Sequence, residues 1–209
     1  MNLFLIFAGG HCKQVIDIFS EYDNIIINGI FDDFIEKDFN YRGYKIIDTV
    51  DNIYKYINKD NDLLFCCIGD NDIRKKIYDK YSPSYKFINC ISQKSNISKT
   101  VCIKGNNNYI GDNTNILSDT VIYDNNIINT SANIAHDCII YNHNHICPSS
   151  VIGGGVKIGS LNLIGTNSII NPKIIVGNNN IIGSGCVVIK NILDDSTVVG
   201  VPGKKLIKI

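Results

Sequence analysis

The sequence predicts two units in series: a small parallel α/β sheet over residues 1–88 and a parallel β-helix of hexapeptide repeats over residues 89–209. Two patterns carry this. Short apolar runs alternate with amphipathic ones in the first stretch. In the second, Ile or Val returns at every sixth position: Ile110, Ile116, Ile122, Ile128, Ile134, Ile140, Ile146, Ile152, Ile158, Ile164, Ile170, Val176, Ile182 and Val188. A period of six matches neither the 3.6 of a helix nor the 2 of a lone strand. It matches stacked coils in which each hexad supplies one short strand and one turn.

The rest of the hexad agrees. Gly follows the aliphatic at Gly111, Gly153, Gly159, Gly165, Gly177 and Gly183, and small side chains recur two places before it, at Thr114, Thr120, Ala132, Cys138, Ser150, Ser168 and Cys186. Stacking buries the aliphatics in a column, and the small residues fill the room left inside. Ile97 and Ile103 fall one residue out of phase, which predicts a first coil starting near residue 92 with a local bulge.

In the first unit, "NLFLIF" reads as a strand, "AGGH" as a Gly-rich turn and "CKQVIDIFSEY" as a helix. "IIINGIF" is a second strand ending in "DDF". "DLLFCCIG" is a third, followed by the helix "DNDIRKKIYDKY", capped by Asp70 or Asn71. Strands alternating with helices imply a parallel sheet, and ligands of such sheets sit at the C-terminal strand ends. Gly9-Gly10-His11, Asp32-Asp33 and Gly69-Asp70-Asn71 all fall there. The "AGGHC" turn lacks the G-x-G-x-x-G spacing of a dinucleotide fingerprint but suits phosphate at a helix N-terminus.

Composition narrows the function classes. The 209 residues carry 20 basic and 20 acidic side chains, so nothing points to nucleic acid or an anionic membrane surface. No apolar run approaches the roughly 20 residues of a membrane span. "MNLFLIF" runs into Gly and His without a basic start or cleavage site, so it reads as a first strand rather than a signal peptide. Eight scattered cysteines then read as reduced, buried thiols of a cytoplasmic protein. The abundance of Ile and Asn reads as genomic base composition.

Three of the four histidines fall in "IAHDCIIYNHNHIC", Ile134 to Cys147. With Ile134, Ile140 and Ile146 inward, Cys138 also points in. His136 and His145 point out, and His143 lies near a corner, facing solvent. A metal site would need Cys138 and the histidines to converge, and the pleat separates them. Catalysis is the preferred reading, with exposed histidines of no role as the plain alternative.

The stretches "AGGHCKQVIDI", "FDDF", "IGDNDIRKKIY", "NTSANIAHDC", "GGGVKIG" and "VVGVPGKK" together resemble the bacterial nucleotide-sugar acetyltransferases. That group includes the UDP-4-amino-sugar N-acetyltransferases of the bacillosamine type and the sialic acid O-acetyltransferases. The resemblance implies a left-handed β-helix, a homotrimer and acetyl-CoA as acetyl donor held between neighbouring β-helices, with no metal. It makes His136 the general base and Asp137 its acidic partner. His145, Gly154, Thr166 and Gly185 fall to the cofactor, Gly154 through its backbone N–H toward the thioester oxygen. Gly10 and His11 fall to diphosphate and sugar, Asp32 and Asp33 to uridine and ribose, and Gly69, Asn71 and Arg74 to a third nucleotide loop. The expected activity is N-acetylation of a UDP-linked 4-amino-6-deoxy sugar. The alternatives are O-acetylation of sialic acid or another sugar hydroxyl, and a non-catalytic protein that binds nucleotide sugar.

Overall fold

A computed structural model of the chain describes residues 1–206, which divide between Cys90 and Ile91 into two compact units. The first holds β1 (Asn2–Ile6), α1 (Gly10–Phe19), β2 (Ile26–Phe31), β3 (Asn40–Tyr41), β4 (Tyr44–Asp48), β5 (Leu63–Cys66), α2 (Asn71–Tyr81) and β6 (Lys86–Phe87). The sheet order is β3-β4-β2-β1-β5-β6, parallel except for the β3–β4 hairpin. β1 is central, and after Asn2 its residues Leu3, Phe4, Leu5 and Ile6 are apolar and buried on both faces, as in a strand covered on both sides. α2 starts where expected: Asp70 is its N-cap and accepts from the Ile73 N–H at 2.9 Å. The strand β4 and its hairpin partner have no counterpart in the sequence reading, because "YKIID" is too short and too polar to stand out by periodicity.

The second unit is a left-handed parallel β-helix of two-residue strands. Ile116 pairs with Ile134 and Ile134 with Ile152, so successive coils stand 18 residues apart, about 4.8 Å along the axis. Three ladders of parallel strands result, one through Ile134, one through Ile140 and one through Ile146. All fourteen periodic aliphatics are buried, at 1% exposure or less, and so are Thr114, Thr120, Ala132, Cys138, Ser150, Ser168 and Cys186. Each buried Ile contributes about 1.5–3 kcal/mol of transfer free energy, and this column is the main source of the unit's stability.

One detail sharpens the sequence reading and a second departs from it. The first ladder strand is Cys90–Ile91, and Ile97 and Ile103 pair with Ile116 and Ile122. The extra residue therefore lies in the turn between Ile103 and Ile110, where Gly105 lets the chain pass against the backbone of Asp124. The asparagines, set aside as composition, form a buried ladder at one corner. Asn108 Oδ1 accepts from the Asn126 N–H, Asn126 Oδ1 from Asn144, Asn144 Oδ1 from Asn162, and Asn162 Oδ1 from Asn180, each at 2.9 Å. A neutral amide repeats every coil because it can accept from the coil above while its own backbone N–H is satisfied from below.

Candidate functional site

In the first unit, the chain leaves the C-terminal ends of β1, β2 and β5 around one cavity of about 350 Å³. Its wall is built from Phe7 to His11 after β1, Asp32, Phe34 and Ile35 after β2, and Cys67 to Gly69 after β5. Phe7 has φ +71°, a costly conformation for a bulky residue, and its N–H donates to Phe31 O at 2.8 Å. Gly10, His11, Asp32 and Gly69 are thus brought together. Asp33 instead accepts the Val50 N–H on Oδ1 at 2.8 Å.

Asp32 is 5% exposed and bonded to backbone. Its Oδ2 accepts from the Ala8 N–H at 2.8 Å, and its Oδ1 from the Phe34 and Ile35 N–H groups at 2.8 and 3.0 Å. It ties the loop after β2 to the loop after β1. Arg74 is also structural in position: 1% exposed, it donates to Gly69 O at 3.0 Å, Ile68 O at 3.3 Å and Asn71 Oδ1 at 2.7 Å. Burial pushes its guanidinium down to about 10, still charged at neutral pH. Arg74 and Asn71 therefore hold the loop that carries Gly69. The thiols nearby are kept neutral: burial pushes Cys66 up to about 12 and raises Cys67 and Cys90 well above the usual range.

In the β-helix, each hexad from Ile110 to Ile182 turns through one residue of positive φ, three places after the inward aliphatic, including Asn113, Asp119, Asn125 and Asp137. Asn and Asp tolerate this left-handed conformation best among residues with a side chain. Asp137, at φ +59°, is that residue in its turn. The tight turn folds its short side chain back, so that Oδ2 lies 2.6 Å from His136 Nδ1, with both side chains more than 60% exposed. A carboxylate only accepts, so Nδ1 carries the hydrogen, and in the neutral ring Nε2 presents a lone pair.

That lone pair sits against Gly154, one coil on. A Cβ at Gly154 would lie 2.8 Å from His136 Nε2 and 2.9 Å from Cε1, so only glycine leaves the ring in place. The Gly154 N–H has no acceptor among the described residues, whereas its neighbour Gly155 donates to His136 O at 2.9 Å. An exposed imidazole, a carboxylate hydrogen-bonded to it and an unused backbone donor are thereby gathered at one corner.

The other predicted cofactor residues lie elsewhere on the coil. His145 is on the ladder through Ile146, half-buried, its Nε2 3.3 Å from Asn129 Nδ2. Thr166 and Gly185 are adjacent in successive coils, the Gly185 N–H donating to Thr166 O at 2.9 Å. Cys138 is in the core. His143, expected to face solvent, is instead only 8% exposed: as the positive-φ residue of its turn it folds back onto the corner ladder, its Nδ1 2.7 Å from Asn125 Nδ2. Among the described residues no group of three or more His, Cys, Asp or Glu is placed to hold a metal ion, and no helix is long and apolar enough to cross a membrane.

Comparison with known proteins bears on both units. Residues 2–81 match the family described as the PglD N-terminal domain. Over its full length the chain superposes on a mutant of perosamine N-acetyltransferase from Caulobacter crescentus, in complex with CoA and GDP-perosamine. The TM-score is 0.93 at 26% identity, covering 100% of this chain and 98% of that one. The chain has the fold of a sugar N-acetyltransferase. The acetyltransferase domain of PglB from Neisseria gonorrhoeae, in complex with acetyl coenzyme A, matches in the same way, with TM-score 0.88, 27% identity and 98% of each chain covered. An uncharacterized protein of Acanthamoeba polyphaga mimivirus is 48% identical over 124 residues, 59% of this chain. The chain spans about a quarter of that relative's length, 24%.

Proposed function

We propose that the protein transfers the acetyl group of acetyl-CoA to the amine of a nucleotide-linked amino sugar, with a UDP-linked 4-amino-6-deoxy sugar as the first acceptor to try. The observation that carries this is the corner of His136, Asp137 and Gly154. Acetyl-CoA supplies an acyl group already activated as a thioester. His136 Nε2 accepts the amine proton as nitrogen bonds to the carbonyl carbon. Asp137 keeps the proton on Nδ1 and offsets the charge of the imidazolium that forms. The Gly154 N–H donates to the oxygen that becomes negative. When the C–S bond breaks, His136 returns the proton to the departing thiolate, so the enzyme ends as it began.

The cavity at the ends of β1, β2 and β5 is the seat proposed for the nucleotide sugar. Gly10 and His11 stand at the N-terminus of α1, where partial positive charge favours a diphosphate. Gly69 faces the same space, backed by Asn71 and Arg74. The structural likeness to an enzyme bound to GDP-perosamine supports a nucleotide-linked acceptor.

The active assembly proposed is a homotrimer in the cytoplasm. His136 sits on the edge between the ladders of Ile134 and Ile140, and His145 lies on the third ladder, across the coil. One thioester touching both, with Thr166 and Gly185 along the same cofactor, needs two copies side by side. Mixing a His136→Ala chain with a His145→Ala chain should then restore part of the activity that each lacks alone. Sedimentation as an active monomer would defeat the assembly. The function itself is tested by thiol release from acetyl-CoA with UDP- and GDP-linked amino sugars. Release with sialic acid but with no amino sugar would favour O-acetylation instead.

A further inference from the structure

We propose that Phe34 is the platform on which the substrate's nucleobase stacks, and that this stacking, rather than a carboxylate reading the base edge, supplies the affinity, so uracil and guanine nucleotides are both accepted. The inference rests on the nucleotide-sugar reading above and goes beyond it in naming the residue and the selectivity.

Six of the eight phenylalanines are at most 8% exposed, whereas Phe34 is 88% exposed. Loose chain does not explain this, because the Phe34 N–H donates to Asp32 Oδ1 at 2.8 Å and the next N–H shares that oxygen. The backbone is pinned and the ring is left bare. The ring borders the cavity of about 350 Å³ that also holds Gly9, Gly10 and Gly69. At those three glycines an added Cβ would meet nothing within 4 Å, and none has the positive φ that favours glycine. The folded chain itself gives no reason for glycine there. A ligand lying against bare backbone gives one. An apolar ring at one end and uncovered backbone at a helix N-terminus at the other fit a flat aromatic group joined to an anionic tail.

Asp32 is poorly placed to read a base edge. A carboxylate oxygen accepts about two hydrogen bonds; Oδ1 already takes two and Oδ2 one. Every nucleobase has a π-face, so stacking tolerates a change of base where edge readout does not.

Calorimetric titration of the full chain with UDP, GDP and ribose 5-phosphate tests this. Wild type should bind UDP and GDP within about tenfold of each other, a difference of about 1.4 kcal/mol. Phe34→Ala should weaken both by roughly 5- to 150-fold, the range of one base–aromatic stack. It should leave ribose 5-phosphate unchanged, and Phe34→Tyr should restore binding. The side chain is exposed, so folding should survive. Unchanged nucleotide binding in Phe34→Ala would overturn the inference, as would an equal loss for ribose 5-phosphate or a preference of more than roughly 100-fold for one base. If Phe34→Ala instead dissociates the oligomer, the ring belongs to a subunit contact and the inference falls. Failure of wild type to bind either nucleotide would remove the nucleotide-sugar reading itself.

Discussion

Glycines occur in both units, but their surroundings differ. In the β-helix, a Cβ at Gly159 would lie 2.5 Å from Gly177 O, and one at Gly165 would lie 2.5 Å from the Ser184 N, both one coil above. In the α/β unit, a Cβ at Gly9, Gly10 or Gly69 would meet nothing within 4 Å. The first kind of glycine is required by the stacking of the chain on itself, and the second leaves room for something that is not the chain. The means of holding turns differs as well. In the α/β unit, carboxylates accept backbone N–H groups, as Asp32, Asp33 and Asp48 do. At the β-helix corner, neutral asparagine amides do the same work. On the function proposed above, the first are glycines the protein folds with and the second are glycines it binds with, and residue type alone does not tell them apart.

Gly154 is the sharpest case, because it belongs to the β-helix yet its would-be Cβ meets the His136 ring rather than the next coil. Gly154→Ala should therefore behave like a catalytic lesion: kcat falling roughly 10²–10⁴-fold, the scale of lost general base catalysis, as in His136→Ala. Thermal melts should match wild type for both. Asp137→Asn should cost less than either, since the base itself is kept. The wild-type pH profile of kcat/KM should show a limb in the histidine range that His136→Ala lacks. Full activity in Gly154→Ala would mean that the ring has another place to go.

The paired test compares Gly165→Ala with Gly69→Ala. Overpacking a close-packed stack costs about 1–3 kcal/mol, so Gly165→Ala should lower the melting temperature by several degrees, about what 1 kcal/mol does in a domain of this size. Gly69→Ala should melt like wild type and lose nucleotide-sugar binding. The reverse pattern would break the distinction.

This contrast also marks what could be read in advance. The inward aliphatics and the small residues beside them were legible because a solenoid repeats one local rule, and burial enforces that rule at every coil. The strand ends carrying Gly10, Asp32 and Gly69 were legible because α/β topology puts loops there. The role of the asparagines was not, since a ladder between residues 18 apart leaves no signal within a single hexad. His143 was misjudged for the same reason: its environment is Asn125, a full coil away. Arg74 looks like any helix arginine until Gly69 O and Ile68 O are brought beneath it. Phe34 stood in plain view in "FDDF", but its exposure is a property of the fold.

Asn144 allows the β-helix corner to be weighed. Its Oδ1 accepts the Asn162 N–H, and its own N–H is satisfied by Asn126. Asn144→Ala leaves the Asn162 N–H buried without that acceptor, at a cost of about 1–3 kcal/mol. Chemical denaturation should show a lower midpoint with catalysis per folded molecule unchanged. A midpoint equal to wild type would make the ladder ornamental.

The smallest effect expected is acid dependence, and it tests carboxylate against amide. Asp48 is held down at about 2 by hydrogen bonds from the Asn52 side chain, the Thr49 N–H and the Tyr56 hydroxyl, in that order of strength. An unfolded aspartate titrates near about 3.9. Between those values the unfolded chain binds the proton and the folded one does not, so stability rises with pH there. The contribution is fully present above pH about 4 and is lost as pH falls through about 2. Amides have no such titration, although Asp194, lowered by the Asn178 N–H and side chain, brings one carboxylate into the β-helix. Denaturation midpoints at pH 5, 3 and 2 should therefore fall less steeply in Asp48→Asn than in wild type, starting from a lower value at pH 5. Acid should also loosen the unit of β1 to β6 before the coils, visible as early loss of nucleotide binding while β-sheet circular dichroism persists. Parallel slopes in variant and wild type would show that Asp48 does not carry this dependence, and simultaneous loss of both signals would show that the two units do not differ in this way.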